Sequence, residues 1–265
     1  MVDYRLMKGQ RPKRKVVLIL VEGQSEINTL KPILSALYDS IDETIEVFFP
    51  TIVEDDCDVR GDITSKNGIH PEVIEGCIYK LFLKTFFDKE KLLPKDISEI
   101  IQIVDIDGAY IPDSQVLCGA NPSGENKPFY ENDRIIASNV ESIIQRNERK
   151  RQNLNYLSSI TELPVKQKKP KYSVYFFSCN LDHFLYDDAN LSSREKVSKS
   201  NETASQYENN PKSFIEAVKS VPGALVNMNY NESWEFIKKE ANSLKPHTNI
   251  NILFDNLVNL TKEDV

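Results

Sequence analysis

Val16-Val17-Leu18-Ile19-Leu20-Val21-Glu22-Gly23-Gln24-Ser25-Glu26 is the stretch on which the fold turns. Its first half is apolar without alternation and rich in β-branched residues, the pattern of a strand buried on both faces in a parallel sheet. Glu22-Gly23-Gln24-Ser25 breaks the run, and from Glu26 onward Ile27, Leu30, Ile33, Leu34 and Leu37 fall at helical spacing. Strand, glycine-containing turn and helix form the first half of a β-α-β unit.

Working outward, a second strand is expected at 46–49, and 73–87 has helical periodicity behind Pro71. Residues 97–105 repeat the buried-strand pattern through Ile100-Ile101-Gln102-Ile103-Val104 and end in Asp105-Ile106-Asp107-Gly108. A long polar helix is expected over about 132–160, a strand over 172–178, a helix starting at Cys179–Leu185, and further helices near 194–207, 211–220 and 231–244, before a terminal apolar segment near 250–260. The fold class is therefore α/β, with a parallel-sheet core. Residues 1–15 read as a basic N-terminal segment and 16–190 as the core with an inserted lobe (about 51–96 and 109–171). Residues 191–265 read as a helical C-terminal part packed on the core.

The 265 residues suffice for a core without disulfides or structural metal. A formal charge of −7, from 33 Lys+Arg against 40 Asp+Glu, excludes a protein that coats nucleic acid by bulk charge. Cys57, Cys77, Cys118 and Cys179 form no C-x-x-C pair, which suits reduced thiols in a cytoplasm. The apolar run at 16–21 is too short to span a bilayer, and no secretion signal is evident, so a cytoplasmic protein without membrane contact is expected.

In open α/β sheets the ligand site lies at the carboxyl ends of the strands. Glu22 ends one predicted strand and Asp105 and Asp107 end another, so all three can reach one crevice. In extended backbone, Asp105 and Asp107 would point the same way, roughly 6.6 Å apart at a rise of about 3.3 Å per residue, and could bracket one cation. Glu26 opens the helix, where a carboxylate is favoured, and could add an oxygen ligand. Such ligands select Mg²⁺ or Mn²⁺ over zinc or copper. Single acidic residues after strands are commonly caps or loop charges; their joint occurrence before glycines is what points to a site.

These motifs resemble a family. Val21-Glu22-Gly23-Gln24-Ser25-Glu26 and Val104-Asp105-Ile106-Asp107-Gly108 look like the two signatures of the Toprim fold, shared by topoisomerases, bacterial primases, ribonuclease M5, recombination proteins and the overcoming-lysogenization-defect nucleases. The Glu-Gly-x-x-Glu spacing most resembles the nuclease branch, including RloB-like proteins and Toprim effectors of anti-phage systems. Phe177 to Leu185 is similar to a downstream RloB-like element, with Asp182 where that family has Glu and with its Pro and Trp absent. The resemblance implies a Toprim-like Rossmannoid core and a Mg²⁺-dependent nuclease cutting DNA or RNA, with tRNA as one specific form. It implies Glu22 as general acid/base or metal ligand, Asp105 and Asp107 as Mg²⁺ ligands, and Glu26 as a ligand of a second metal. Asp182 and His183 form an additional candidate site, and Gly23 and Gly108 would let backbone approach a phosphate. It further implies a phage-defence effector beside an ATPase partner, since the chain has no phosphate-binding Gly-x-x-x-x-Gly-Lys-Ser/Thr loop of its own. A homodimer is compatible with all of this.

Arg146, Arg149, Lys150 and Arg151, with Lys166, Lys168, Lys169 and Lys171, read either as a phosphate-contacting patch or as a solvated helix and loop. Tyr172, Tyr175, Phe176 and Phe177 can stack bases but fit a core strand better. Asp62, Thr64 and Ser65 can face the crevice, and turn chemistry explains them equally well. His183 suits proton transfer or plain packing, and Trp234 reads as core. Tyr110 as a topoisomerase nucleophile is rejected, because the chain has no room for strand-passage domains. The rivals to a nuclease are a non-cleaving nucleotide or nucleic-acid binding protein using the same pocket and, behind it, a primase-like nucleotidyl transferase.

Overall fold

In the computed structural model, β1 (Lys15–Leu20) runs into α1 (Gln24–Ile41) and β2 (Ile45–Phe48), the predicted β-α-β unit. A short hairpin, β3 (Val53–Glu54) and β4 (Cys57–Asp58), leads to α2 (Ile74–Ile78), a π-helical turn at Tyr79–Leu83, and α3 (Lys84–Glu90). After β5 (Ile97–Asp105) come three short strands, β6 (Val116–Cys118), β7 (Phe129–Tyr130) and β8 (Ile135–Ala137), then α4 (Val140–Leu157) and β9 (Lys171–Ser178). The chain continues through α5 (Leu181–Tyr186), α6 (Ser193–Tyr207), α7 (Pro211–Ser220), α8 (Tyr230–Ile237), β10 (His247–Thr248) and α9 (Ile250–Glu263). The structure describes residues 14–51, 53–54, 57–58 and 62–263, so most of the expected basic N-terminal segment lies outside the described residues.

The main sheet has the order β10-β9-β5-β1-β2, with β9, β5, β1 and β2 parallel and β10 antiparallel at the edge. Coverage of both faces explains why these runs are mainly apolar rather than alternating. Val16, Leu18 and Leu20 face one layer with Ile74, Ile78, Leu154, Leu157 and Trp234. Val17, Ile19 and Val21 face the other with Leu30, Ile33, Leu34, Phe214 and Phe254. Each such side chain contributes about 1.5–3 kcal/mol when fully buried, so both faces must be covered. Residues 51–96 and 109–171 share that duty: they touch each other where Asn153 Nδ2 donates to Thr64 O (2.8 Å) and Ile69 O (3.0 Å).

The C-terminal part is woven into the core as well as packed on it. It supplies the edge strand β10, and α7 and α9 cover the same face as α1. A Cβ on Gly223 would lie 1.6 Å from the Pro246 carbonyl oxygen, so two backbones meet there where only glycine fits. By contrast α6 lies along α1 with only Ser200 and Thr203 buried, and Val197 is 48% exposed.

The expected helix over 132–160 begins at Val140, because the Asn139 side chain accepts from Ser142 N–H (3.0 Å) and fixes the helix start there. Ile135–Ala137 pairs instead as the centre of a three-stranded sheet, β6-β8-β7. The helix expected over 231–244 ends at Ile237 and resumes only as a 3₁₀ turn at Asn242–Leu244.

From β1 the chain goes to β2 on one side and returns to β5 on the other. The crevice between the carboxyl ends of β1 and β5 is therefore the topological switch point, where ligands bind in open α/β sheets.

Candidate metal centre

Glu22 follows β1 and Asp105 ends β5, so the switch point joins them: Glu22 Oε1 accepts from Asp105 N–H at 3.1 Å. The chain then turns sharply, with left-handed φ of 52° at Asp107 and 69° at Gly108. Asp107 N–H donates to Cys179 O (2.7 Å) and Gly108 N–H to Ser243 O (3.0 Å). This turn ends the extended geometry that would have let Asp105 and Asp107 bracket one ion, and the two carboxylates belong to different groups.

Asp107 joins Glu22 and Asp62, with one oxygen of each within 4.8 Å of the others. Lys150, fully buried on α4, sets its Nζ among them, 2.5 Å from Asp107 Oδ2, 2.8 Å from Asp62 Oδ2 and 3.5 Å from Glu22 Oε1. Asp62 Oδ1 accepts from Thr64 N–H (2.7 Å) and its hydroxyl (2.5 Å), so turn chemistry aims the other oxygen into the crevice. That buried Oδ2 has no hydrogen bond among the described residues, and Lys150 Nζ lies 2.8 Å from it. This acidic triad can hold a metal ion: its hard oxygens converge, and they already attract one cation.

Asp105 faces the second group. Its Oδ1 accepts from Leu181 N–H at 3.0 Å, at the start of α5. Glu26 stands electrostatically between Asp105 and Asp182. Lys196 Nζ lies 2.5 Å from Asp182 Oδ2, yet neither Asp182 oxygen makes an aligned hydrogen bond.

Burial and crowding set the charge states. Burial pushes the Glu22 carboxyl well above its ordinary range, and Asp62 adds to the effect against Lys150. Burial likewise raises Asp105, helped by Glu26, and raises Glu26, helped by Asp182. For Asp107 burial is outweighed by Lys150 and Arg146, which hold its carboxyl below the usual range. Burial disfavours the Lys150 ammonium, but Asp107, Asp62 and Glu22 together hold its pKa well above normal, so it remains a cation.

The expected basic patch is thereby divided. Arg146 is internal: its guanidinium donates to Tyr130 Oη (2.8 Å), Asp107 O (2.8 Å) and Asn147 Oδ1 (2.7 Å). Arg149 Nε holds Ser65 O at 3.1 Å, which makes Ser65 an anchor of the Asp62 loop. Arg151 pairs with Glu148 on the surface. Lys168 and Lys169 precede β9, at the opposite end of the sheet and roughly 23 Å from the carboxylates by strand length. The sequence held a sign of Lys150's burial: with Ile143, Asn147, Leu154 and Leu157 it lies on one stripe of α4.

The remaining candidates have other surroundings. His183 faces the Leu244 backbone, and burial lowers its pKa. A Cβ on Gly23 would meet Glu26 Oε2 at 2.9 Å, so Gly23 leaves room for Glu26. Gly108 is packed under Leu244 and Ile135, which places it for the turn rather than for approach to a phosphate. Tyr110 Oη is bonded to Asn155 (3.0 Å), while Tyr172, Tyr175, Phe176, Phe177 and Trp234 are core.

Beside the carboxylates opens a cavity of about 270 Å³, lined among others by Asp105, Asp107, Lys127, Tyr130, Asn180 and Lys196. No described helix is long and apolar enough to cross a membrane. Comparison with protein-family models, curated proteins and solved structures found no match to this chain.

Proposed function

We propose that the chain is a metal-dependent nuclease of Toprim-like build, hydrolysing a phosphodiester of DNA or RNA with Mg²⁺ or Mn²⁺. The observation that carries the reading is the convergence of Glu22, Asp62 and Asp107 around one cation position at the switch point, with the Glu26–Asp105–Asp182 group next to it. Glu22, Asp62 and Asp107 would hold the ion, and by the resemblance Glu26 would be a candidate ligand of a second. Bound metal would polarise the scissile phosphate and stabilise charge on the attacking and leaving oxygens.

The chain's own residues do the rest. As a ligand of the ion, Glu22 would hold it beside the scissile phosphate, at the end of β1. Lys127 and Lys196, on the cavity wall, face the phosphates flanking the cut. The net acidic charge of the chain suits a few focused contacts better than general duplex binding. By the same resemblance we extend the proposal to a cytoplasmic phage-defence effector, with tRNA among its substrates and an ATPase as partner.

One observation favours a second reading. Lys150 already fills the triad, as it would in a pocket that binds a nucleotide without cutting it. The test is incubation of native protein and Asp107→Asn with plasmid DNA, single-stranded DNA and total RNA in Mg²⁺, Mn²⁺ or EDTA. Cleavage that needs metal and disappears in the variant is expected. Binding without cleavage under every metal would favour the second reading.

A further inference from the structure

We infer that Lys150 is a tethered competitor of the metal: its ammonium closes the Glu22–Asp62–Asp107 triad in the metal-free protein and must leave that position before a divalent cation can enter. The inference rests on the reading of the triad as a metal site and concerns how that site is loaded. Nζ lies 2.5–3.5 Å from one oxygen of each carboxylate, and those oxygens lie within 4.8 Å of one another. An ion bound by all three would have to occupy the place where Nζ now sits, since Mg²⁺ needs oxygens at about 2.0–2.1 Å. Two cations cannot share that centre.

The ammonium is also built in. Lys150 is 0% exposed on the inward stripe of α4, between Asn147 and Asn153, which are themselves buried and tied to Gly108 O (3.5 Å) and to Thr64 O and Ile69 O. Arg149, the preceding residue, fastens the Asp62 loop to the same helix. Asp62 therefore depends on α4 for its position and, among the described residues, on Lys150 for its opposing charge. Lys196 differs: its side chain is 31% exposed and pairs with Asp182 outside the triad. The device thus acts on the Glu22–Asp62–Asp107 position.

The experiment is Mn²⁺ binding, by calorimetry and electron paramagnetic resonance, to the native chain, Lys150→Met, Asp62→Asn and the Asp62→Asn/Lys150→Met double variant, with melting temperature read at each Mn²⁺ concentration. Removing a competing cation is expected to tighten Mn²⁺ binding by about tenfold or more, and to make the metal-induced rise in melting temperature larger in Lys150→Met than in the native chain. If Lys150→Met is unfolded without metal, its recovery by Mn²⁺ is the expected result. If it stays unfolded, the double variant, with one carboxylate fewer to repel, is compared with Asp62→Asn alone, so that the lost ligand is common to both and tighter Mn²⁺ binding in the double variant is the expected result. Mn²⁺ binding that is equal or weaker without the ammonium overturns the inference while leaving the metal site standing. Absence of Mn²⁺ binding in all four chains sinks the metal reading itself.

Discussion

Replacing Arg146 with Met removes the strut between the small three-stranded sheet and the acidic triad. Arg146 makes charge-assisted hydrogen bonds to Tyr130 Oη, Asp107 O and Asn147 Oδ1, at 2.8, 2.8 and 2.7 Å. Tyr130 Oη in turn lies 3.3 Å from Asp107 Oδ1, and the guanidinium carbon stands 5.8 Å from the Tyr130 ring centre. Each hydrogen bond to a charged group contributes about 1.5–3 kcal/mol, but the three share one donor group and do not add. Met returns part of the packing and leaves buried acceptors unpaired, so the expected loss is about 3–5 kcal/mol, as for one broken buried pair. At roughly 2–4 °C per kcal/mol for a chain of this size, the melting temperature falls by about 6–20 °C. Lys in the same place offers a point charge without the planar fork and restores less than half of the loss. Urea and thermal denaturation of the native chain, Arg146→Met and Arg146→Lys measure this directly. A loss under about 1 kcal/mol, or full rescue by Lys, would refute the assignment of Arg146 as a strut.

Asp62→Asn takes one ligand from the triad and is expected to weaken metal binding at that position and lower cleavage by an order of magnitude or more, read by titration of metal against activity; unchanged metal dependence would remove Asp62 from the ligand set. Gly108→Ala puts a Cβ 2.5 Å from Leu244 Cδ2 at a φ of 69°, so a stability loss of about 1–3 kcal/mol is expected in urea, and a neutral outcome would contradict the packed turn. In the metal-free protein Glu22, Glu26 and Asp105 bind protons more tightly than they do in the unfolded chain, so above the ordinary glutamate value of 4.5 their contribution to stability falls as pH rises through the raised values. Asp107 has the opposite sign, stabilising above its ordinary range and losing that stabilisation in acid. Metal requires the deprotonated forms, so its affinity rises over the same span and binding releases protons, measurable by calorimetry in buffers of different ionisation heat; binding without proton release would contradict the raised values.

The parallel core was legible because its strands are apolar on both faces: β1, β5 and β9 fall where the runs at 16–21, 97–105 and 172–178 place them. Helices α6 and α7 were legible from periodicity and caps, Ser192 with Glu195 and Asn210 before Pro211. The small sheet was not, because strands of two or three residues carry no period; Asn139, the cap that separates β8 from α4, was the available sign. Glu22, Asp105 and Asp107 came from strand ends and Glu26 from the start of α1. Their division into two groups did not, since it depends on the left-handed turn at Asp107, and extended spacing places Asp105 and Asp107 together. Lys150 was counted as a surface charge because charge is read residue by residue, whereas its burial follows from its place on the α4 stripe and from carboxylates remote in sequence.

The sparse apolar footing of α6 bears on local unfolding. This helix carries Lys196, the partner of Asp182, yet only Ser200 and Thr203 are buried along it, and Asn201 meets Asn28 of α1 through a polar contact at 3.2 Å. Its main apolar anchor is Tyr207, packed edge-on against Phe214 at the helix end, so it is expected to open at a lower free-energy cost than the sheet. Its backbone amides should exchange with solvent ahead of those in β5 and β9, and at a urea dependence far smaller than that of global unfolding. Access of solvent to Asp182 and Glu26 is then governed by the departure of one helix, on a free-energy scale separate from the one that holds the sheet together.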